Sequence, residues 1–270
     1  FVALMNTIIV EGGKDMGNRI YPIGIQNFEK IRKEGYVYVD KTALMYKLVK
    51  SGSYFFLSRP RRFGKSLLIS TLEAYFEAKR DLFEGLAVET LEKDWVKRPV
   101  FHLDLNIGKY DTPDSLDKIL NETLDYWESL YGTRSAETTL ALRFAGVVGR
   151  AYEQSGERVA ILIDEYDKPL LQAIGNEELQ REFRNTLKPF YGVLKTMDGC
   201  IKFALLTGVT KFGKVSVFSD LNNLNDISMD EPFISICGIT EKEIHLNFEE
   251  DLHELAAAQK MTYQEVCNEL

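Results

Sequence analysis

With 270 residues, 45% of them hydrophobic and 27% charged, the chain can form one large domain or a domain with an appendage, in the manner of a soluble globular protein. A net charge of -8 gives no global argument for nucleic-acid binding, although local basic patches stay open, and no apolar run approaches the roughly 20 residues of a membrane helix. Cys200, Cys237 and Cys267 are odd in number and widely spaced, which reads as reduced thiols in a cytoplasmic protein. His102, His245 and His253 lack a metal-ligand pattern and argue against a zinc enzyme.

Phe1 to Val10 is apolar but has no basic leading region and no convincing small-residue cleavage site, so no signal peptide is expected. Residues 1–20 read as a peripheral N-terminal extension. Tyr36-Val37-Tyr38-Val39 alternates aromatic and β-branched residues, and Asp40-Lys41-Thr42 opens a helix that Gly52 ends. Tyr36 to Lys41 is either an edge strand with a helix start or one wall of an adenine pocket. The second reading makes Asp40 a binding candidate.

Tyr54-Phe55-Phe56-Leu57 predicts a short buried strand. The turn Arg59-Pro60-Arg61-Arg62-Phe63-Gly64-Lys65-Ser66 follows, and from Leu67 the apolar spacing is helical at Leu68, Leu72, Tyr75 and Phe76. Strand, Gly-Lys-Ser loop and helix make a phosphate cradle. The free amides at the helix start and the helix dipole favour an anion, the lysine reaches outer phosphates, and the serine hydroxyl can sit on Mg²⁺. The usual pattern begins with glycine, and Arg59 holds that place here. The alternative is a basic surface turn that caps a helix.

Val100 to Leu105 predicts a strand with Asp104 near its C-terminal end, the edge that faces the ligand crevice in open α/β sheets. Asp114 to Tyr131 and Ala136 to Gln154 predict helices. Val159 to Ile163 is a continuous apolar strand, as in a parallel sheet buried on both faces, and it ends in Asp164-Glu165. One carboxylate at such a tip can hold Mg²⁺ and its water shell, and the next can orient the attacking water. The rival reading is a helix cap. Asp167 and Lys168 read as supporting or surface residues.

Leu179 to Met197 predicts a helix kinked at Pro189. Ile201 to Leu206 predicts a strand tipped by Thr207, a candidate γ-phosphate sensor. Val209 to Glu231 is a long loop, Phe233 to Ile236 a fifth strand, and Thr240 to Glu243 a capping-box helix start. Strands alternating with helices give a parallel α/β sheet.

The blocks YPIGIQNFEKIRKEGYVYVDKT, FLSRPRRFGKSLLISTLEAYF, VFHLDLN, ILIDEYDKPLL and LLTGVTKFGKVSVFSDLNNLNDIS resemble the AAA-ATPase-like domains of bacterial proteins that often continue into a PD-(D/E)XK nuclease-like domain. The Arg59 form of the loop matches that family and is similar to loops of STAND-type and archaeal ATPases. The resemblance implies an α/β three-layer P-loop NTPase with a mostly parallel five-stranded sheet over residues 21–239. It implies a C-terminal helical lid segment beginning at residues 240–270, with the chain cut within the lid as an N-terminal part of a longer protein.

By that resemblance Arg59, Pro60, Arg61, Arg62, Phe63, Gly64, Lys65, Ser66 and Leu67 form or adjoin the Walker A loop. Asp164 is the Walker B metal ligand, Glu165 the catalytic carboxylate and Thr207 the sensor. Neither an arginine finger nor the nuclease carboxylates are legible. The expected ligands are ATP and Mg²⁺. The expected partners are nucleic acid through the full-length protein and a homo-oligomer, with no membrane. Two other uses stay open: a nucleotide switch with negligible turnover, and a nucleic-acid patch of Arg59, Arg61, Arg62, Lys211 and Lys214.

Overall fold

The computed structural model describes residues 19–211 and 223–268. In chain order these form α1 (Phe28–Lys33), α2 (Thr42–Ser51), β1 (Tyr54–Ser58), α3 (Lys65–Phe76), α4 (Ala87–Leu91), β2 (Val100–Asp104), α5 (Ser115–Tyr131) and α6 (Leu140–Ser155). There follow β3 (Val159–Asp164), α7 (Lys168–Gln172), α8 (Glu177–Thr196), β4 (Ile201–Gly208), β5 (Asn225–Asp226), α9 (Glu241–Gln259) and α10 (Tyr263–Asn268). Helix α8 runs through Pro189 without interruption. No described helix is long and apolar enough to cross a membrane.

The sheet has the order β2-β3-β4-β1-β5, and every pairing is parallel. Every residue of β3 is buried, as its unbroken apolar run requires of an inner strand covered on both faces. Alternate residues serve opposite faces. Tyr54, Phe56, Phe101, Leu103, Ile161 and Ile163 join a core with Trp127 of α5, Phe144 of α6 and Phe190 of α8. There Phe144 stacks on Phe190 at 4.6 Å between ring centroids. Phe55 and Phe203 occupy the other side, where Phe203 lies 5.2 Å from Phe76 of α3. Fully burying each such side chain contributes roughly 1.5–3 kcal/mol, which holds the strand order against the entropy of the chain.

That order brings four strand tips together. In register, Ser58 pairs with Gly208, Leu57 with Thr207, and Asp104 with Asp164. The sheet edge outside the strands' carboxyl ends thus collects the loop between β1 and α3, Asp164 and Thr207.

Two sequence expectations fail. Phe233 to Ile236 is not a strand. Glu231–Phe233 is a turn of 3-10 helix, and Ile236 N donates to Phe233 O at 3.0 Å. Phe233 and Ile236 are buried while Ile234 is 54% exposed, a spacing of three that belongs to a turn and not to a pleat. The fifth strand is instead Asn225–Asp226, beside Phe55 and Phe56. Tyr36 to Val39 is likewise no strand; Tyr36 makes an isolated parallel bridge with Ile20.

The chain divides into two compact units. The larger comprises residues 26–29 and 40–237; the smaller, among the described residues, comprises 19–25, 30–39 and 238–268. In the smaller unit, Ile244, Phe248, Leu252 and Leu255 pack with Tyr21, Val37 and Val39. Arg19 pairs with Asp251 at 2.9 Å, and Thr240 with Glu243 closes the expected capping box of α9.

Candidate nucleotide site

The loop between β1 and α3 is built by backbone geometry first. Gly64 has φ +87, the left-handed region that glycine reaches without steric cost, and α3 begins at the next residue. Leu68 N donates to Gly64 O at 3.0 Å, so the first helical bond closes directly behind the loop. The amides ahead of it are the unsatisfied donors of a helix start. Arg62 has φ +67, a conformation disfavoured for a residue with a Cβ.

Lys65 is buried, 4% exposed, and its Nζ donates to Arg59 O at 3.1 Å and Pro60 O at 3.2 Å. The same nitrogen lies 3.3 Å from Glu165 Oε1. Burial holds the Glu165 carboxyl above its ordinary pKa, against the pull of Lys65. Glu165 also has a left-handed backbone, φ +55.

Asp164 and Thr207 are buried side by side at the tips of β3 and β4. Thr207 Oγ1 donates to Asp164 Oδ1, and Glu165 N donates to the same oxygen at 3.1 Å. No described residue donates to Asp164 Oδ2, which leaves one carboxylate oxygen for a cation. The Ser66 hydroxyl also makes no hydrogen bond with a described residue. A free hydroxyl and a free carboxylate oxygen are the donor set that a hard cation such as Mg²⁺ takes. Among the described residues, no group of three or more His, Cys, Asp or Glu side chains is placed to hold a metal ion.

Asp104 sits beside Asp164 on the next strand, and burial raises its pKa with Asp164 adding to the shift. Its Oδ1 accepts from Asn106 N at 2.7 Å, so it also caps the turn after β2. Asp40 is engaged elsewhere. Its Oδ1 accepts from Thr42 N at 2.7 Å and its Oδ2 from Ala87 N at 2.7 Å, tying together the starts of α2 and α4.

Arg59, in the place of the usual first glycine, is a clamp. Its Nη1 donates to Ser58 O at 3.1 Å and to Ser228 O, and its Nη2 donates to Ile234 O at 3.0 Å. The guanidinium thus fastens the phosphate loop to the segment after β5. Of the other basic-patch candidates, Lys211 pairs with Asp226 at 3.0 Å, and Lys214 lies outside the described residues. The expected loop Val209 to Glu231 is described only at its two ends.

Asp167, read as a supporting or surface residue, is 1% exposed and anchors the exit of β4. Its Oδ2 accepts from Thr210 N at 2.8 Å and from Thr210 Oγ1 at 2.7 Å. The signal for it was available: a carboxylate three residues past a strand-tip acid can reach the neighbouring strand's exit. A cavity of about 510 Å³ lined by Ser53, Tyr54, Lys195, Asp198 and Asn223 lies at the start of β1, away from this chemistry.

The family model described as "Predicted AAA-ATPase" matches residues 22–218. The chain belongs to this family. Membership implies nucleotide binding. The chain is also 41% identical over 239 residues to the "Uncharacterized protein in vnfD 5'region" of Azotobacter chroococcum mcd 1, an alignment covering 88% of this chain and 46% of that relative. The chain therefore spans about half the length of the curated relative it matches. No solved structure matches it.

Proposed function

We propose that the chain binds ATP on the Arg59–Ser66 loop and hydrolyses it. The observation that carries this reading is the convergence of Lys65, Glu165, Asp164 and Thr207 at one sheet edge. Lys65 and the loop amides, through Leu67, take the β- and γ-phosphates. The Ser66 hydroxyl and Asp164 would hold Mg²⁺, which when bound neutralises charge on the phosphate oxygens. Glu165 orients water and accepts its proton. The water oxygen bonds to the γ-phosphorus as the bond to the β–γ bridging oxygen breaks, and ADP leaves with that electron pair. Thr207, bonded to Asp164, links the γ-phosphate position to the β4 exit. Asp104 backs Asp164 in this reading.

A second reading, a switch with negligible turnover, is favoured by the pairing of Lys65 with Glu165, which occupies both working groups. Coupling to a following nuclease-like domain, to nucleic acid and to a homo-oligomer rests on the family resemblance. The test is ATP calorimetry with Mg²⁺ on the native chain and on Lys65→Ala, followed by turnover. Binding at micromolar Kd that Lys65→Ala abolishes supports the site. Equal binding by both proteins sinks it. Binding without turnover selects the switch.

A further inference from the structure

The loop carries three arginines, and the structure separates them. Arg59 is consumed by three carbonyls. Arg61 and Arg62 are exposed, and neither makes an ion pair or hydrogen bond with a described residue. The chain has 41 acidic residues against 33 lysines and arginines, yet these two adjacent guanidinium groups have no acidic partner among the described residues. They stand four and three residues before Lys65, on the loop that would wrap the phosphates.

Backbone strain falls at the same place. Among the described residues, four non-glycine residues have positive φ: Arg62, Ala78, Glu165 and Lys260. Arg62 is on the phosphate loop, and Glu165 contacts that loop through Lys65. A left-handed arginine is strained where glycine would not be, and such strain concentrates where function requires the residue.

We propose that Arg61 and Arg62 supply in cis the catalytic cation for the transferring γ-phosphoryl group, the role that an arginine finger has in related chemistry. The inference rests on the hydrolysis reading above and deepens it. As the water–phosphorus bond forms and the bond to the bridging oxygen breaks, charge spreads over the γ-phosphoryl oxygens and onto the departing ADP. A planar, permanently charged group with several donors meets that charge. Binding of ADP, which lacks the γ-phosphate, should scarcely register these side chains.

The experiment uses the full chain and Arg61→Ala, Arg62→Gly, their combination, and the corresponding lysine variants. It measures ATP and ADP affinity, single-turnover hydrolysis against protein concentration, and thermal stability. We expect each single variant to lose about tenfold or more in rate and the double variant about a hundredfold or more, with ADP affinity within about threefold of native. Arg62→Gly should melt at or above the native temperature while losing activity, which a merely structural arginine would not do. The native rate per subunit should not depend on protein concentration.

Unchanged turnover in the double variant overturns the proposal. Equal loss of ATP and ADP affinity overturns it in favour of general loop electrostatics. A native rate that rises with concentration and persists in the double variant assigns the cation to a neighbouring copy. Native binding without hydrolysis overturns this inference alone, whereas no ATP binding removes the functional reading beneath it.

Discussion

Lys65 Nζ lies 3.3 Å from Glu165 Oε1, so the lysine that opens α3 and the carboxylate that follows β3 are partnered with each other. Both side chains are largely buried, 3% and 14% exposed. A phosphate entering the loop must draw Lys65 away from that carboxylate. Glu165→Gln should therefore bind ATP more tightly, by about threefold to tenfold, because a neutral amide competes less for the ammonium. Hydrolysis in the same variant should fall by about 10²–10⁴ through loss of the base. Calorimetry and turnover on one preparation decide it. Weaker ATP binding would show that the pair pre-positions Lys65 instead of restraining it.

Arg59 can be tested apart from catalysis. Arg59→Ala removes donors from three carbonyls and should lower stability by about 2–4 kcal/mol, since a charged hydrogen bond contributes roughly 1.5–3 kcal/mol net when buried and less where it is exposed, as the bond to Ile234 O is. Arg59→Gly recreates the usual loop pattern and should be no better, since the clamp is lost equally. Denaturant titration of both variants measures this. A stable Arg59→Gly protein would mean that the clamp is dispensable.

Gly208 ends β4 beneath Tyr166. A Cβ there would lie 2.4 Å from Tyr166 Cε1 and 2.7 Å from Asp167 Oδ1. Tyr166 is fixed by its edge-on contact with Phe56 at 5.3 Å and by its hydroxyl bond to Thr210 O at 3.0 Å, so it cannot retreat freely. Gly208→Ala should cost about 1–3 kcal/mol as overpacking. A melting temperature equal to native would show that the ring relocates.

Burial raises the pKa of Asp104, so the folded state binds its proton more tightly than the unfolded state does. That preference stabilises the fold below the unfolded pKa and is lost as pH rises through the folded pKa. At pH 7 the Asp104 carboxylate beside Asp164 is therefore a cost. Asp104→Asn keeps an acceptor for Asn106 N and should raise the melting temperature at pH 7, with the gain shrinking as pH falls toward the ordinary carboxylate range. A gain independent of pH would assign the effect to packing. Calorimetric melts across pH 3.5–7 separate the two outcomes.

The buried strands were legible because their apolar runs are continuous: Val159 to Ile163 and Ile201 to Leu206 are inner strands as read. The turn at Gly64-Lys65-Ser66 was legible because it is a local arrangement between a strand and a helix. The fifth strand was not. Asn225–Asp226 is two polar residues whose extended state exists only because β1 offers them a partner. Phe233 to Ile236 has the composition of a strand but turns, and burial every third residue is invisible until the neighbouring surfaces are in place.

Local chemistry thus determined the α/β class, the inner strands, the Gly-Lys-Ser turn and the carboxylates at the β3 tip, since each depends on neighbours within a few residues along the chain. The three-dimensional arrangement decided the roles of Arg59, Asp40 and Asp167. Their partners lie at Ser228 and Ile234, at Ala87, and at Thr210, and a side chain's charge says nothing about which distant carbonyl or amide will satisfy it. The strand order that places β4 between β1 and β3 is of the same kind. It follows from how apolar side chains can be buried on opposite faces of one sheet, and that brings Lys65 to Glu165 and Thr207 to Asp164.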